Sequence, residues 1–331
     1  MVSTFSRRRA IAIFAAVAGL PLLRRAEASP HAVTWKGQAL GAPATLILHH
    51  EDKAKAAQLI NRVVAEVSRL ETVFSLYTGE SALCELNRVG ALVAPPEDMA
   101  SLLHACRTFW QSTDGAFDPT IQPLWLLYRD HFSVANADPS GPSPAEITQT
   151  LTRIGFDSVK FNRDRIVLSR PNMGLTLNGV AQGYITDRIV ELLREGGVTS
   201  SLVDMGENRA IGTQGDGRRW RIGLAESEDD ERLDTILNVD NKAVATSSAA
   251  GFHFDDAERF GHILDPRSGR SPSHYKRMTV IANDATTADA LSTAFSLMEP
   301  ATIRSMVHVW PDVTVDLVSI GGDHSRFGAP V

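Results

Sequence analysis

The sequence is poor in the residues and motifs that mark several common protein classes. It contains two cysteines in 331 residues, Cys84 and Cys106, which is too few for a disulfide scaffold or a zinc cluster. Whether these two pair or lie unpaired in the core stays open. The sequence contains no P-loop, and no GxGxxG pattern follows a predicted strand, which argues against the common nucleotide-binding fingerprints. The absence of clustered Cys, Met or His ligands disfavours a metal or heme chaperone.

Positive charge is also scarce. Lys and Arg number 33 against 39 Asp and Glu, which gives a net charge of −6. Residues 1–28 contain five Arg and one Glu, so their removal would take the net charge to −10. Such an acidic protein lacks the electrostatic footprint of nucleic-acid binding, and we expect no nucleic-acid partner. The remaining composition, 43% hydrophobic and 22% charged, is typical of a globular protein with a large core.

No apolar run is long enough to span a bilayer, which takes about 20 residues. The apolar residues 11–23 follow the run Ser6-Arg7-Arg8-Arg9 and precede the small-x-small site AEA at 26–28. This order predicts a cleavable twin-arginine signal peptide over residues 1–28 and a mature chain that starts at Ser29. We therefore expect a periplasmic protein, exported in the folded state. An uncleaved amphipathic anchor is the alternative interpretation.

Hydrophobic spacing and turn residues predict the elements of one domain over residues 29–331. The predicted helices cover 55–70, 96–112, 180–195 and 286–298. The predicted strands cover 43–49, 165–169, 201–205, 220–224, 243–246 and 277–282, and a final hairpin joins 307–310 to 314–319. The Pro- and Ser-rich segment 133–144 is a loop at a lobe boundary, and the charged run 226–234 is a solvated loop. This irregular order indicates an α+β fold with mixed or antiparallel sheets flanked by helices.

The segment 281–298, IANDATTADALSTAFSLM, carries the strongest chemical signal. Asp289 and Thr293 are four residues apart and therefore share a helix face, with Ser292 beside it. A carboxylate and hydroxyls on one face form a hard-oxygen corner suited to Mg²⁺. Helix capping explains Asp284 better, but Asp289 and Thr293 lie beyond the first turn, where capping no longer applies.

A second segment, TLNGVAQGYITD at 176–187, is predicted to run from a strand through a turn into a helix. Asn178 is a suitable N-cap for that helix. Gly179 would allow another group to approach the backbone closely, so its carbonyl could serve a metal ion. The alternative is a plain strand-to-helix turn in which glycine serves packing.

Two further segments contain Asp-Pro turns. In DGAFDPTIQPLW at 114–125, Phe117 could stack on a ring and Asp118 could accept hydrogen bonds from one. In GHILDPRSG at 261–269, His262 could act as a general base. Structural turns and a histidine without a chemical role are the alternatives.

Taken together, these segments resemble the ApbE family of FAD:protein FMN transferases. The blocks GAFDPT, LNGVAQGY, VATSS, HILDPRSG and TVIANDATTADALSTA occur in the family's order, and LETVFSLYTGESALCELNR is similar to its first block. The resemblance covers about residues 33–300. It implies two lobes with a flavin cleft between them. It also implies transfer of FMN from FAD to a Thr or Ser hydroxyl of an acceptor protein, dependent on Mg²⁺ or Mn²⁺, with release of AMP.

The resemblance also implies which residues form the site. The metal ligands would be Asp289, Thr293, the carbonyl of Gly179 and, as a further candidate, Ser292. FAD contacts would fall on Leu40, Tyr77, Ala116, Phe117, Asp118, Thr176, Gln182 and Ile263. His262 is the candidate catalytic base.

Several positions depart from the family pattern. Thr176 and Gln182 stand where many relatives have Asp and Lys, and Ser292 stands where some have a second acid. Gly261-His262 replaces paired histidines, and Met205-Gly206-Glu207-Asn208 replaces the usual Gly-Gly-acid turn. Together with export, these departures resemble the NosX branch, which serves the flavoprotein partner of nitrous oxide reductase assembly. The acceptor would then be a periplasmic NosR-type protein of a membrane redox system.

Two other functions are compatible with the same site. Water could replace the acceptor hydroxyl, which would make the protein an FAD pyrophosphatase that releases FMN and AMP. Alternatively, the changes at Thr176 and Gln182 could mark a non-catalytic flavin-binding maturation factor. The acceptor's identity and the oligomeric state do not follow from the sequence.

Overall fold

A computed structural model describes residues 32–225, 233–272 and 274–329, together with the backbone of Leu20–Pro21. The rest of the predicted signal peptide, and the charged run as far as residue 232, lie outside the described residues. The helices are α1 (Lys53–Phe74), α2 (Ala82–Val89), α3 (Glu97–Ser112), α4 (Gln122–Ser133), α5 (Pro144–Leu151), α6 (Ala181–Glu195), α7 (Ala285–Phe295) and α8 (Pro300–Val307). The strands are β1 (Leu20–Pro21), β2 (Ala32–Ala39), β3 (Ala42–His49), β4 (Ala91–Val93), β5 (Val159–Phe161), β6 (Arg165–Leu168), β7 (Ser201–Asp204), β8 (Asn208–Ile211), β9 (Trp220–Ala225), β10 (Leu233–Val239), β11 (Ala243–Ser248), β12 (Tyr275–Ala282), β13 (Thr314–Ser319) and β14 (His324–Gly328).

The largest sheet has eight strands in the order β14-β13-β12-β11-β8-β7-β3-β2. Each neighbouring pair in it is antiparallel. Two three-stranded sheets, β1-β9-β10 and β4-β6-β5, are antiparallel as well. Helices α6 and α7 pack on each other, and α7 packs on β11 and β12. This architecture confirms the predicted α+β class.

Both faces of the large sheet are buried, and the alternation of side chains along its strands explains how. Leu46 and Leu48 of β3 belong to the main core, which includes the helices, whereas Ile47 belongs to a second core with Ile222 and Leu237 of β9 and β10. Successive strand residues point to opposite faces. The helices therefore cover one face, and the small β9-β10 sheet covers the other.

Helices α6 and α7, which carry the candidate site, differ in how their N-termini are capped. Asp284 caps α7, since its side chain accepts a hydrogen bond from the Thr287 N–H at 2.7 Å. This confirms the capping interpretation of Asp284. Asn178, in contrast, is not the N-cap of α6. That helix begins at Ala181, and Val180 occupies the cap position without a side-chain hydrogen bond.

The predicted final hairpin is wrong in its first strand. Residues 307–310 do not form a strand, because Val307 ends α8 and the Val309 N–H then donates to the Met306 carbonyl at 2.9 Å in a turn. Pro300 occupies the first position of that helix, where its missing N–H costs nothing. Strand β13 pairs instead with β14, which follows it in the chain.

Helices α4 and α5 were not expected from the apolar spacing, and they flank the predicted loop at 133–144. The second begins with a capping box, in which the Ser143 hydroxyl accepts from the Glu146 N–H while the Glu146 carboxylate accepts from the Ser143 N–H. The loop is therefore confirmed between Ser133 and Pro144. Its position at a lobe boundary stays a prediction.

Cys84 and Cys106 are both free thiols, and Cys106 is fully buried. Burial raises the pKa of the Cys106 thiol far above its ordinary value, so this cysteine stays protonated and acts as a small apolar core residue. None of the helices in the described part of the chain has the length and hydropathy that a membrane span requires.

Candidate active site

A cavity opens where the start of α6, the turn after β7 and the segment 262–266 meet α7. The predicted site residues that line it are Ala116, Phe117, Asp118, Thr176, Gly179, Gln182, His262, Ile263, Asp289 and Thr293. Its other lining residues are Pro119, Ile121, Trp125, Asn178, Glu207, Thr246, Ser247, Leu264, Pro266 and Leu297. Side chains from segments more than 100 residues apart in the sequence thus converge on one space.

Asp187 joins the two helices that form the inner end of this cavity. Its carboxylate accepts hydrogen bonds from the backbone N–H groups of Ala285 and Thr286, both at 2.8 Å, and from the Thr286 hydroxyl at 2.5 Å. The Arg209 guanidinium lies 2.5 Å away and balances its charge. A carboxylate on α6 therefore satisfies the open N–H groups at the start of α7 and fixes the relative position of the two helices.

Asp289 faces the cavity from the second turn of α7. Its side chain is only 4% exposed, and its Oδ2 accepts a hydrogen bond from the Gly183 N–H at 3.0 Å, which leaves Oδ1 for a ligand. Gly183 is required there because a Cβ would lie 2.3 Å from the Ala285 carbonyl oxygen. Burial, and secondarily the charge of Asp187, raise the pKa of Asp289.

Thr293 and Gly179 complete an oxygen-rich corner beside Asp289. A Cβ on Gly179 would lie 2.8 Å from the Thr293 hydroxyl, so only glycine leaves this space open. Thr293, one turn after Asp289, lines the cavity as the shared helix face predicts. The carboxylate and hydroxyl, with the backbone carbonyl of Gly179 nearby, are the hard-oxygen donors that Mg²⁺ and Mn²⁺ prefer.

A carboxylate that was not expected at the site is Glu207. It follows β7 in the turn before β8, is 3% exposed and lines the cavity. Burial raises its pKa well above the ordinary value, and the charges of Asp289 and Asp204 add to that effect. The only sequence signal was the departure from the family's Gly-Gly-acid turn, which does not reveal that the acid is buried.

No cationic side chain offsets these carboxylates within the cavity. Among the described residues that line it, none is Lys or Arg. In the same part of the chain, no group of three or more His, Cys, Asp and Glu has the arrangement of a metal site. Any cation held here would therefore depend on hydroxyl and carbonyl oxygens as well as carboxylates.

Gln182 contributes a polar group that lacks a partner. Its side chain is 3% exposed, and no hydrogen bond satisfies its Nε2 among the described residues. A buried amide donor without an acceptor costs free energy of about 1–3 kcal/mol. A bound ligand that offers an acceptor atom in the cavity would recover that free energy.

Asp118 lines the cavity but is engaged in local structure. Its Oδ1 accepts from the Thr120 N–H at 2.8 Å and from the Thr120 hydroxyl at 2.6 Å, and its Oδ2 accepts from the Phe156 N–H at 3.1 Å. Burial raises the pKa of Asp118, and these hydrogen bonds oppose that effect. Asp118 thus caps the short 3-10 helix Pro119–Ile121 and anchors it to the segment at Phe156.

Apolar residues form one wall of the cavity. Phe117 is 5% exposed and makes an edge-to-face contact with Phe109 at 5.8 Å between ring centroids. Trp125, which sequence reasoning did not single out, lines the same wall and stacks on Phe252 at 6.1 Å. Such surfaces suit a planar aromatic ligand.

His262 lies between the apolar wall and a neighbouring cavity. Its Nδ1 is 3.0 Å from the Phe252 carbonyl oxygen, so Nδ1 must donate and Nε2 is left with a free lone pair. Burial lowers the pKa of His262 to about 4, so the imidazole is neutral at ordinary pH. The ring packs on Gly251, where a Cβ would lie 2.5 Å from Cε1.

Three predicted site residues do not line the cavity. Leu40 is buried in the core at the turn between β2 and β3, and its N–H donates to Glu71 at 2.8 Å. Tyr77 is 48% exposed and reaches the site indirectly through a hydrogen bond between its side chain and that of Asn178. Ser292 is fully buried and bonds to the hydroxyl of Ser247, which does line the cavity, at 2.9 Å.

Thr176 does line the cavity, but its backbone and side chain serve the turn. Its N–H donates to the Pro119 carbonyl at 2.8 Å, and its hydroxyl accepts from the Asn178 N–H at 3.3 Å. These bonds hold the 116–119 and 176–179 segments side by side. The resemblance predicted an FAD contact at Thr176, and that prediction is untested.

The fold and the site define an α+β protein with an acidic, hard-oxygen end and an aromatic end in one cavity. The sequence profile of the ApbE family matches residues 40–315, so the chain belongs to the ApbE family. It is 26% identical over 283 residues to the FAD:protein FMN transferase of Salmonella typhimurium, covering 82% of this chain and 80% of that protein. It is 30% identical over 261 residues to a Klebsiella pneumoniae protein of the same name, covering 77% and 78%.

Solved structures agree with this assignment. The ApbE protein of Thermotoga maritima is 28% identical and superposes with a TM-score of 0.79 over 89% of this chain and 97% of its own. The flavinyl transferase ApbE of Pseudomonas stutzeri is 25% identical, with a TM-score of 0.75 over 89% and 95%. The predicted family and the enzyme class, a transferase, are confirmed.

Proposed function

We propose that this protein transfers FMN from FAD to a Thr or Ser hydroxyl of an acceptor protein, with a divalent cation bound and AMP as the leaving group. One observation carries the proposal. The cavity places buried carboxylates and a hydroxyl beside an aromatic wall and contains no Lys or Arg among its described lining residues. An anionic pyrophosphate can enter such a space only together with a cation.

Asp289, Thr293 and the carbonyl of Gly179 would hold that cation, Mg²⁺ or Mn²⁺. Their oxygen chemistry fits it, and Gly179 leaves open the space that a Cβ would fill beside the Thr293 hydroxyl. When bound, the ion would neutralise charge on the phosphate oxygens during transfer. Asp187 supports this arrangement indirectly because it fixes the start of α7.

Phe117, Trp125 and Ile263 form the surface for the flavin end of FAD, and the Nε2 of His262 lies ready to accept a proton. The acceptor oxygen forms a bond to the FMN-side phosphorus while the bond from that phosphorus to the bridging oxygen breaks. The hydroxyl proton passes to His262, and AMP leaves with the bridging oxygen. A neutral imidazole suits this role because a protonated one could not accept the proton.

The location and partner form part of the same proposal. The arginine run at 7–9 and the AEA site at 26–28 support twin-arginine export to the periplasm. The acceptor would accordingly be a periplasmic flavin-binding domain of a membrane redox system, of the NosR type. The departures at Thr176 and Gln182 support the NosX branch in particular.

Incubation of the purified protein with FAD, MgCl₂ and a NosR-type periplasmic domain tests the proposal. We expect a fluorescent band at the acceptor, an acceptor mass increased by FMN less water, and one AMP for each FMN transferred. An active ApbE enzyme from the matched relatives serves as the positive control. FMN and AMP without acceptor labelling would show hydrolysis instead, and FAD binding without either product would show a non-catalytic flavin protein.

A further inference from the structure

Glu207 is a buried carboxylate whose position is fixed by its backbone. Its carbonyl accepts a hydrogen bond from the Thr186 hydroxyl on α6 at 3.0 Å. The preceding Gly206 N–H donates to the Asp204 carboxylate at 3.0 Å, which closes the turn between β7 and β8. The backbone of this turn is therefore held against α6, which also contributes the Gly183 N–H that binds Asp289.

The two carboxylates face a common space. Glu207 and Asp289 both line the cavity, and each is at most 4% exposed. The Glu207 carboxylate accepts a hydrogen bond from the Thr246 N–H, a neutral group that supplies no balancing charge. None of the described lining residues is Lys or Arg, so only a proton or a cation from outside the chain can balance these two carboxylates within the lining.

We propose that Glu207 is an additional carboxylate ligand of the divalent cation, contributed from the β7-β8 turn and acting together with Asp289 on α7. The site then receives oxygens from three separate segments: the turn at Gly179, the turn at Glu207 and helix α7. This inference rests on the proposed function only for the presence of a cation in the cavity. It does not depend on the identity of the acceptor protein.

Mn²⁺ binding to the FAD-free protein tests the inference directly. Free Mn²⁺ gives a room-temperature EPR signal that is lost on binding, so titration yields a dissociation constant without any turnover. We expect Glu207→Gln to raise that constant at least about tenfold, comparable with Asp289→Asn. Glu71→Gln is the control, because Glu71 is a half-buried carboxylate with a raised pKa that accepts from the Leu40 N–H and does not line the cavity. It should bind Mn²⁺ as the wild type does.

The melting temperature distinguishes a loss of metal binding from a folding defect. Glu207→Gln replaces a buried acid with a neutral group of the same shape, so the melting temperature of the metal-free variant should equal or exceed that of the wild type. The rise in melting temperature on adding Mn²⁺ should be smaller than in the wild type, because the stabilisation follows the logarithm of the Mn²⁺ concentration divided by the dissociation constant. If the metal-free Glu207→Gln variant melts at a lower temperature than the wild type, the Glu207→Asp variant tests the role of the carboxylate instead. It should bind Mn²⁺ with an affinity between that of the Glu207→Gln variant and that of the wild type.

The outcomes separate this inference from the proposed function. Wild-type affinity in Glu207→Gln overturns the role of Glu207 and leaves the transferase proposal intact. A wild-type protein that binds Mn²⁺ through Glu207 but labels no acceptor supports the inference and overturns the transfer reaction. A wild-type protein that binds no Mn²⁺ overturns both.

Discussion

Asp316 in the large sheet and the pair Glu207 and Asp289 in the cavity are all at most 4% exposed, but their surroundings are opposite. Asp316 is 3.0 Å from the Arg277 guanidinium, 2.6 Å from that of Arg326 and 2.9 Å from the imidazole of His324. Burial alone would raise the pKa of Asp316, but these partners outweigh it and the pKa is lowered. The pKa values of the cavity carboxylates are raised.

This difference distinguishes a structural acid from one reserved for a ligand. Asp316 joins strands β12, β13 and β14, and the cationic side chains around it come from the protein itself. Where carboxylates line the cavity, the protein supplies none among the described lining residues. The raised pKa values show that protonation relieves their mutual repulsion, and a cation from outside the chain would take the place of the proton. The structural acid should be indifferent to that cation.

The largest expected effect is on activity, at Asp289. Asp289→Asn should lower the rate of FMN transfer about 1000-fold, because the principal anionic ligand of the cation is lost. The free energy of unfolding without metal should not fall, since a neutral amide is easier to bury than a carboxylate without a cation. Flavinylation assays and urea unfolding measure the two quantities. Transfer within about tenfold of wild type would remove Asp289 from the metal site.

Asp316→Asn should give the reverse pattern. Without the carboxylate, the fully buried Arg277 lacks its counter-charge, and the free energy of unfolding should fall by about 3 kcal/mol. FMN transfer well below the melting temperature should be unchanged. In the wild type this contribution is present above the ordinary pKa of an aspartate and is lost as pH falls through the lowered pKa of Asp316. If the rate of FMN transfer falls by more than the fraction of protein that is unfolded, the packing of the sheet around Asp316 affects the geometry of the cavity.

The two histidines differ in the same way as the two kinds of acid. His324 bonds to Asp316 in the sheet, whereas the Nε2 of His262 can accept a proton in the cavity. His262→Ala should lower the transfer rate about 100-fold and leave Mn²⁺ affinity unchanged. A change confined to FAD affinity would make His262 a binding residue and not the base.

The pH dependence of His262 follows from its pKa of about 4 in the folded protein. The wild-type transfer rate should show no loss from histidine protonation between about pH 8 and pH 5. Because the folded pKa lies below that of the unfolded chain, this residue's contribution to stability is complete above about pH 6.5 and is lost as pH falls through about 4. A His262 imidazole NMR signal that titrates near pH 6.5 would contradict the buried, neutral imidazole.

The smallest expected effect is at Gly179. A Cβ there would lie 2.8 Å from the Thr293 hydroxyl, so Gly179→Ala should displace that side chain and weaken Mn²⁺ binding about tenfold. Gly79→Ala is the control, because a Cβ at that position meets nothing within 4 Å. Equal affinities in the two variants would show that Thr293 is not a ligand.

Local patterns were sufficient for much of the fold and for the arrangement of side chains on α7. Asp289 and Thr293 were predicted because a helical spacing of four fixes two side chains on one face whatever surrounds them. The two-residue alternation in β3 was equally local. The terminal hairpin failed because residues 307–310 alternate like a strand, whereas β14, with the sequence HSRFG, is held in place by His324 and Arg326 binding a buried Asp316. Such pairing is tertiary and leaves no periodic signal.

The residues of the candidate site, like the elements of the fold, were predicted in part. The resemblance identified ten residues that do meet in one cavity, but it also included Leu40, Tyr77 and Ser292, which lie outside its lining. Glu207 was overlooked because an acid in a turn is usually solvated, and only the packing of α6 against the turn buries it. Burial of a polar residue depends on neighbours that are distant in sequence.

Asp187 has a consequence for how variants of this protein should be interpreted. It lies outside the cavity lining, yet it ties Ala285 and Thr286, at the start of α7, to α6. A genetic screen for inactive alleles would therefore recover Asp187 with the same cofactor-loss phenotype as Asp289. Loss of activity in a variant therefore does not by itself mark a residue that touches the ligand.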